Sequence, residues 1–256
     1  MAALAAAEVV VGYTPYLDLV ADLIVGKRTV ASGMRQETGR AAAAIAEAVA
    51  GARVAVISTG DAGVYGMAGL VLELLPEGSP VTVELVPGIT AASSAAACLG
   101  APLMNDFAVV SLSDLMTPLP VIERRLAAAA DGDFALVLYN PRSHKRHEPF
   151  RRALAILRER RAATTPVGLV RNALRDGQEV TITTLDELAE EQVDMLTTVV
   201  VGNSTTLIRD GRMVTPRGYA TGAASAADAT GAAGDTAADA ADAADAADAA
   251  DGGDEG

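Results

Sequence analysis

Residues 53–66 read RVAVISTGDAGVYG. Val54, Val56 and Ile57 make a short apolar, β-branched run, which predicts a buried strand over Arg53–Ser58. The chain then turns abruptly small, with Gly60, Gly63 and Gly66 around Asp61. A strand that runs into such a turn sets it at the carboxyl end of a sheet, where open α/β sheets bind ligands. Glycines let backbone approach a ligand closely, and Asp61 accepts hydrogen bonds. The same residues also make an ordinary tight turn with Asp61 as a helix cap. No Gly-Lys-Ser/Thr follows, so this is not a Walker loop, and the dinucleotide spacing Gly-x-Gly-x-x-Gly is absent.

Outward from this stretch, strand and helix patterns alternate. Glu8–Val11 reads as a strand and Gln36–Ala50 as an Ala-rich helix capped by Ser32. Tyr65–Leu75 reads as a helix, Val81–Val86 as a strand broken by Pro87-Gly88, Ala91–Leu99 as a helix of small residues and Phe107–Leu112 as a strand. The fold class is therefore α/β, with parallel strands joined by helices. A run with Asp, Thr and two prolines at 114–120 reads as a linker, closing an N-terminal α/β domain at 1–113. A second domain, 121–219, follows. Its elements are helix Val121–Ala130, strand Phe134–Tyr139, helix Glu148–Arg161, strands Val167–Arg171 and Val180–Thr184, and a short helix at Leu185–Glu191. Thr197–Val201 and Thr206–Val214 finish its sheet and read as a hairpin or adjacent antiparallel strands, with Asp210-Gly211 as the turn. Residues 220–256 repeat Ala-Ala-Asp, with nothing apolar to bury, and read as disordered.

The formal net charge of −13 is concentrated in that tail, which carries nine acids after Arg217 and no base. The rest of the chain is nearly balanced and shows no basic stripe, which argues against nucleic acid as a partner. No apolar run is long enough for a membrane span, and the first residues lack the basic segment of a signal peptide. Cys98 is the single cysteine, set among alanines as a small buried residue. These features predict a cytoplasmic protein. His144 and His147 are three apart without a third ligand, so no metal site is expected.

Two further turns sit at strand ends: Val86-Pro87-Gly88-Ile89-Thr90-Ala91, and Leu138-Tyr139-Asn140-Pro141-Arg142-Ser143. Each alone permits a bland reading, the first as close helix–sheet packing and the second as an Asn-Pro turn. Together with Ser58–Gly66 they resemble the tetrapyrrole methyltransferases of cobalamin synthesis. Gly12-Tyr13-Thr14-Pro15-Tyr16, Ser32-Gly33-Met34-Arg35, Ser111–Pro118 and Gly202-Asn203-Ser204 resemble the branch that methylates C17 and contracts the ring. That branch comprises precorrin-3B C17-methyltransferases and cobalt-factor III methyltransferases. The resemblance runs from about Val9 to Tyr219.

The resemblance implies two α/β domains with a cleft that holds S-adenosylmethionine, and a homodimer. By motif, Thr59, Gly60, Asp61, Val64, Thr90, Ala91, Asn140 and Ala173 would bind the donor. A sulfonium donor is already activated, so alignment in a dry cleft carries most of the chemistry, and no dedicated nucleophile is needed. No catalytic acid or base for ring contraction is identified. The substrate of such enzymes is an anionic tetrapyrrole, so local cations are expected to bind it. The segment Arg142–Arg152 has a local net charge of +4. Arg142 with Lys145 or Arg146 are its candidate carboxylate contacts, Arg35 and Arg171 are secondary ones, and Arg151 and Arg152 read as a solvated helix face. Members of the family open with a strand and a Gly-x-Gly-Pro-Gly loop, whereas here Met1 leads directly to Val9–Gly12. The resemblance therefore implies either a longer native chain or a paralogue that binds ligand without turnover. It also implies an open slot in the first sheet.

Overall fold

A computed structural model describes residues 1–219; the disorder expected over 220–256 lies outside the described residues. Met1–Arg217 forms one compact unit. Its elements are α1 (Ala2–Ala6), β1 (Val9–Tyr13), α2 (Thr14–Asp18), β2 (Arg28–Ser32), α3 (Glu37–Val49), β3 (Val54–Val56), α4 (Ala68–Leu74), α5 (Ala91–Leu99) and β4 (Gly100–Ala101). The chain continues through β5 (Phe107–Ser111), α6 (Leu119–Asp131), β6 (Ala135–Tyr139), α7 (Glu148–Arg160), β7 (Pro166–Arg171) and β8 (Glu179–Thr184). It ends with β9 (Thr197–Val201), β10 (Leu207–Arg209) and β11 (Arg212–Val214).

The first sheet is parallel, in the order β2-β1-β3. Its centre is β1, where Val9, Val10 and Val11 are fully buried because both faces are covered. Val9 and Val11 pack with Ala44 of α3, whereas Val10 packs with Leu17 and Ile24 on the other face. This alternation is the period-2 consequence of a pleated strand. On its far side β3 has no partner strand among the described residues.

A five-stranded sheet follows in the order β5-β6-β9-β7-β8. It is mixed: β5–β6 is parallel, and β9 runs antiparallel to both β6 and β7. One face packs on α6 and α7 through Ile122, Leu126, Phe150, Leu154 and Leu157. The other packs on α5 through Ala92, Ala95 and Leu99 against Val137, Val170 and Val200. Both faces are thus covered, which is why β6, β7 and β9 read as unbroken apolar runs.

Several expectations are corrected. Val81–Val86 forms no strand, because neither side supplies a ladder partner, and alternation alone does not make one. The helix expected over Tyr65–Leu75 spans Ala68–Leu74, and that expected over Leu185–Glu191 shrinks to a single 3-10 turn at Glu190–Gln192. The last two pieces, Thr197–Val201 and Thr206–Val214, are not paired with each other: β10 and β11 form their own antiparallel hairpin about Asp210-Gly211, and β11 pairs with β4 in a third sheet, apart from β9. Cys98 is half-buried, with its thiol 3.4 Å from Gln178 Oε1. The change of sheet also does not coincide with 114–120. Phe107–Ser111 hydrogen-bonds to β6, and α5 covers that same sheet, so the chain crosses over before Ala91.

Candidate functional site

The turn after β3 is folded by its own carboxylate. Asp61 Oδ1 accepts from the Gly63 amide at 2.8 Å, and Oδ2 accepts from the Gly88 amide at 2.8 Å. The second bond ties the first glycine turn to the Pro87-Gly88 turn. Hydrogen bonds from Gly88 and Gly63 hold the Asp61 carboxyl below its ordinary pKa. Gly60 adopts φ +72°, and a methyl group on Gly88 would lie 2.2 Å from the Gly60 carbonyl oxygen. Only glycine allows this approach. Val64 closes the turn by donating its amide to the Asp61 carbonyl at 3.2 Å. Thr59 is half-buried one residue before Gly60.

Thr90 is the N-cap residue of α5 and Ala91 its first residue. The Tyr139 hydroxyl reaches this helix start from the end of β6, 2.5 Å from Thr90 Oγ1 and 2.6 Å from the Ala92 amide. Tyr65 makes a second clasp. Its hydroxyl donates to the Val109 carbonyl at 3.3 Å and accepts from the Ser111 amide at 3.2 Å, on the outer edge of β5. The two rings lie 5.5 Å apart. Tyr65, Asn140 and Asn172 all have positive φ, so backbone strain gathers at these strand ends. Asn140 Nδ2 donates to Ser111 Oγ at 3.0 Å. Ala173, after β7, and Tyr139 each pack against the buried cluster that joins Ala92, Ala95 and Leu99 of α5 to Val137, Val170 and Val200.

The Asp61–Gly88 and Thr90–Tyr139 bonds therefore link the turn after β3, the start of α5 and the end of β6, where seven of the residues singled out for the donor lie, while Ala173 follows β7. Sequence reasoning missed Tyr65 and Tyr139 as the clasps; the signal was present in two tyrosines placed at the ends of matched motifs. Loss of the Tyr139 hydroxyl leaves the Ala92 amide unpaired. Tyr139→Phe is expected to cost about 1–2 kcal/mol of stability, read by urea unfolding.

The proposed substrate cations are arranged differently. Arg146 points inward and donates to the Leu112 carbonyl at 2.6 Å and the Asn140 carbonyl at 2.7 Å. Burial lowers its pKa, and Asp114 at 3.8 Å offsets this in part. Arg142 donates to His147 Nδ1 at 2.6 Å and to the Glu190 carbonyl at 2.7 Å. That bond occupies His147, whose other ring nitrogen lies 3.0 Å from the His144 carbonyl. Arg171 pairs with Asp194 at 2.9 Å, and hydrogen bonding and charge from Asp194 raise its pKa. Lys145 and Arg35 are exposed, and Arg35 sits at φ +63° in the turn after β2. Arg151 and Arg152 form surface pairs with Glu190 and Glu123, as a solvated helix face would.

Arg142, Arg146 and Arg171 thus brace the loops rather than present free charge. Arg146→Ala would orphan two carbonyl oxygens. It is expected to destabilise the fold by about 2–3 kcal/mol, seen as a fall in Tm. A residue that only contacted substrate would raise KM and leave Tm in place.

Among the described residues, no helix is long and apolar enough to cross a membrane. Residues 1–189 match the family described as Tetrapyrrole (Corrin/Porphyrin) Methylases. A probable cobalt-factor III C(17)-methyltransferase of Salmonella typhimurium is 52% identical over 218 residues, which make up 85% of this chain and 90% of the relative. A precorrin-3B C(17)-methyltransferase of a Sinorhizobium species is 41% identical over 227 residues, covering 85% of this chain and 89% of that protein. Among solved structures, the methyltransferase CobJ superposes with a TM-score of 0.80 at 40% identity, over 84% of this chain and 91% of the other.

Proposed function

Because this chain belongs to the tetrapyrrole (corrin/porphyrin) methylases, we propose that it is an enzyme of cobalamin biosynthesis that methylates C17 of precorrin-3B or cobalt-factor III, with ring contraction. The observation that carries this reading is its continuity. Likeness to C17-methyltransferases extends across nearly the whole of the Salmonella relative, and the strand-end loops converge through named hydrogen bonds.

S-adenosylmethionine is the proposed donor, and it supplies an activated methyl group. The loops suit a group that needs close backbone approach. Gly60 and Gly88 meet without side chains, Thr90 opens α5, and Asn140 holds a left-handed turn at the end of β6. In this reading Thr59, Gly60, Val64, Thr90, Ala91, Asn140 and Ala173 line the donor. Asp61 acts one step back, since each of its oxygens already accepts a backbone amide. Arg35 and Lys145 remain the exposed cations for the tetrapyrrole carboxylates. Arg142, Arg146 and Arg171 shape the loops around it. The protein works as a homodimer in this reading, in the cytoplasm.

Titration with S-adenosylhomocysteine tests the donor site. One saturable site per chain is expected, and folded protein without affinity for it would remove the donor reading. Parallel initial rates with metal-free and cobalt-bearing substrate then decide which macrocycle is used.

A further inference from the structure

Arg40 of α3 is 5% exposed, and no described residue forms an ion pair with it. Its Nε donates to Ser32 Oγ at 2.6 Å and its Nη2 to the Gly33 carbonyl at 2.9 Å. Nη1 meets only the Met67 sulfur, at 3.6 Å. The Tyr13 ring lies 5.8 Å from the guanidinium carbon. Every partner is neutral. A buried guanidinium without a counter-charge is costly, and a thioether is a weak acceptor.

The position of Arg40 gives that cost a use. Tyr13 and Ser32 are the last residues of β1 and β2, and they face each other in register. Ligands of parallel sheets bind beyond such carboxyl ends. Met67, whose sulfur is the one hydrogen-bond partner of Nη1 among the described residues, directly follows the Ser58–Gly66 turn, and its amide is held by Ser58 Oγ at 3.1 Å. An unbranched methionine swings aside readily. Arg142, Arg146 and Arg171 of the other loops are engaged by carbonyls or by Asp194, which leaves Lys145 and Arg35 exposed.

We propose that Arg40 is a ligand-binding residue whose Nη1 takes a carboxylate of the donor or of the tetrapyrrole when the Met67 side chain moves off it. This rests on the methyltransferase reading. The carboxylate replaces a weak sulfur contact with a charge-assisted hydrogen bond and neutralises the buried cation. Met67 thereby couples the glycine turn to occupancy of the arginine.

The test compares wild type, Arg40→Met and Arg40→Lys in equilibrium titrations with S-adenosylhomocysteine and with cobalt-factor III, alongside thermal unfolding. Arg40→Met is expected to weaken one of the two ligands roughly 10- to 100-fold and to leave the other unchanged. The ligand that weakens identifies the carboxylate. The Tm without ligand stays within about 4 °C of wild type, because an apolar chain of similar length replaces an uncompensated charge. Arg40→Lys keeps the charge without the planar fork and falls in between. Unchanged affinity for both ligands in Arg40→Met overturns the proposal. Equal weakening of both with a larger fall in Tm also overturns it, because that pattern marks a structural brace. Wild-type protein that binds neither ligand overturns the methyltransferase reading itself.

Discussion

Gly88→Ala is expected to lower affinity for S-adenosylhomocysteine by about 100-fold or more while the chain still folds. The added methyl would sit 2.2 Å from the Gly60 carbonyl oxygen, and that neighbour is backbone, which has no rotamer with which to retreat. The two turns must separate by about 1 Å or more, and a misplacement of that size costs on the order of 100-fold in a positioned site. Separation also stretches the bond from the Gly88 amide to Asp61 Oδ2. The five-stranded core lies elsewhere, around Phe150, Leu126 and Leu136, so its unfolding transition is expected to persist. Isothermal titration with circular dichroism on the same sample separates the two effects. Unaltered affinity would mean that the loops do not need this contact.

Asp61→Asn carries the second large effect. Both carboxylate oxygens accept an amide, so an asparagine must turn an NH2 group toward the amide of either Gly63 or Gly88. Donor then faces donor, and a drop of roughly 10- to 100-fold in donor affinity follows. The pH dependence has a definite sign. Gly88 and Gly63 stabilise the ionised form, so the folded pKa lies below the unfolded one. The clamp therefore contributes fully above the ordinary aspartate value of about 3.9, and is lost as pH falls through the lowered folded value. Amide chemical shifts of Gly63 and Gly88, followed through an acid titration, would report this directly. A midpoint at or above the ordinary value would contradict the geometry.

Much of this arrangement was legible in the sequence where burial and chemistry coincide. Ala91–Leu99 and Thr197–Val201 were read to the residue, because small residues after Pro-Gly and a run of buried β-branched residues each admit one backbone state. The glycine turns were readable for a similar reason: close approach leaves few residue types possible. Pairing was less legible. Val81–Val86 alternates like a strand but lacks a partner, whereas Arg28–Ser32, mostly exposed and polar, is a strand because β1 lies beside it. The mixed order of the larger sheet depends on β9 inserting between β6 and β7, a long-range choice that local pattern does not encode. Charge was the hardest to read. Five cations were singled out for substrate, yet three of them are engaged by carbonyls or a carboxylate, and Arg40 was hidden in an alanine-rich helix.

The central claim is methyl transfer, and its most direct measurement uses S-adenosylmethionine labelled with carbon-13 in the methyl group. The label is followed by NMR into the tetrapyrrole. Both this 256-residue chain and a form lengthened by an N-terminal strand and Gly-x-Gly-Pro-Gly loop are assayed, with cobalt-bearing and metal-free substrate. The predicted result is one labelled methyl per macrocycle, placed at C17. Label absent from the macrocycle with both forms, each folded and each saturated with donor, would contradict it.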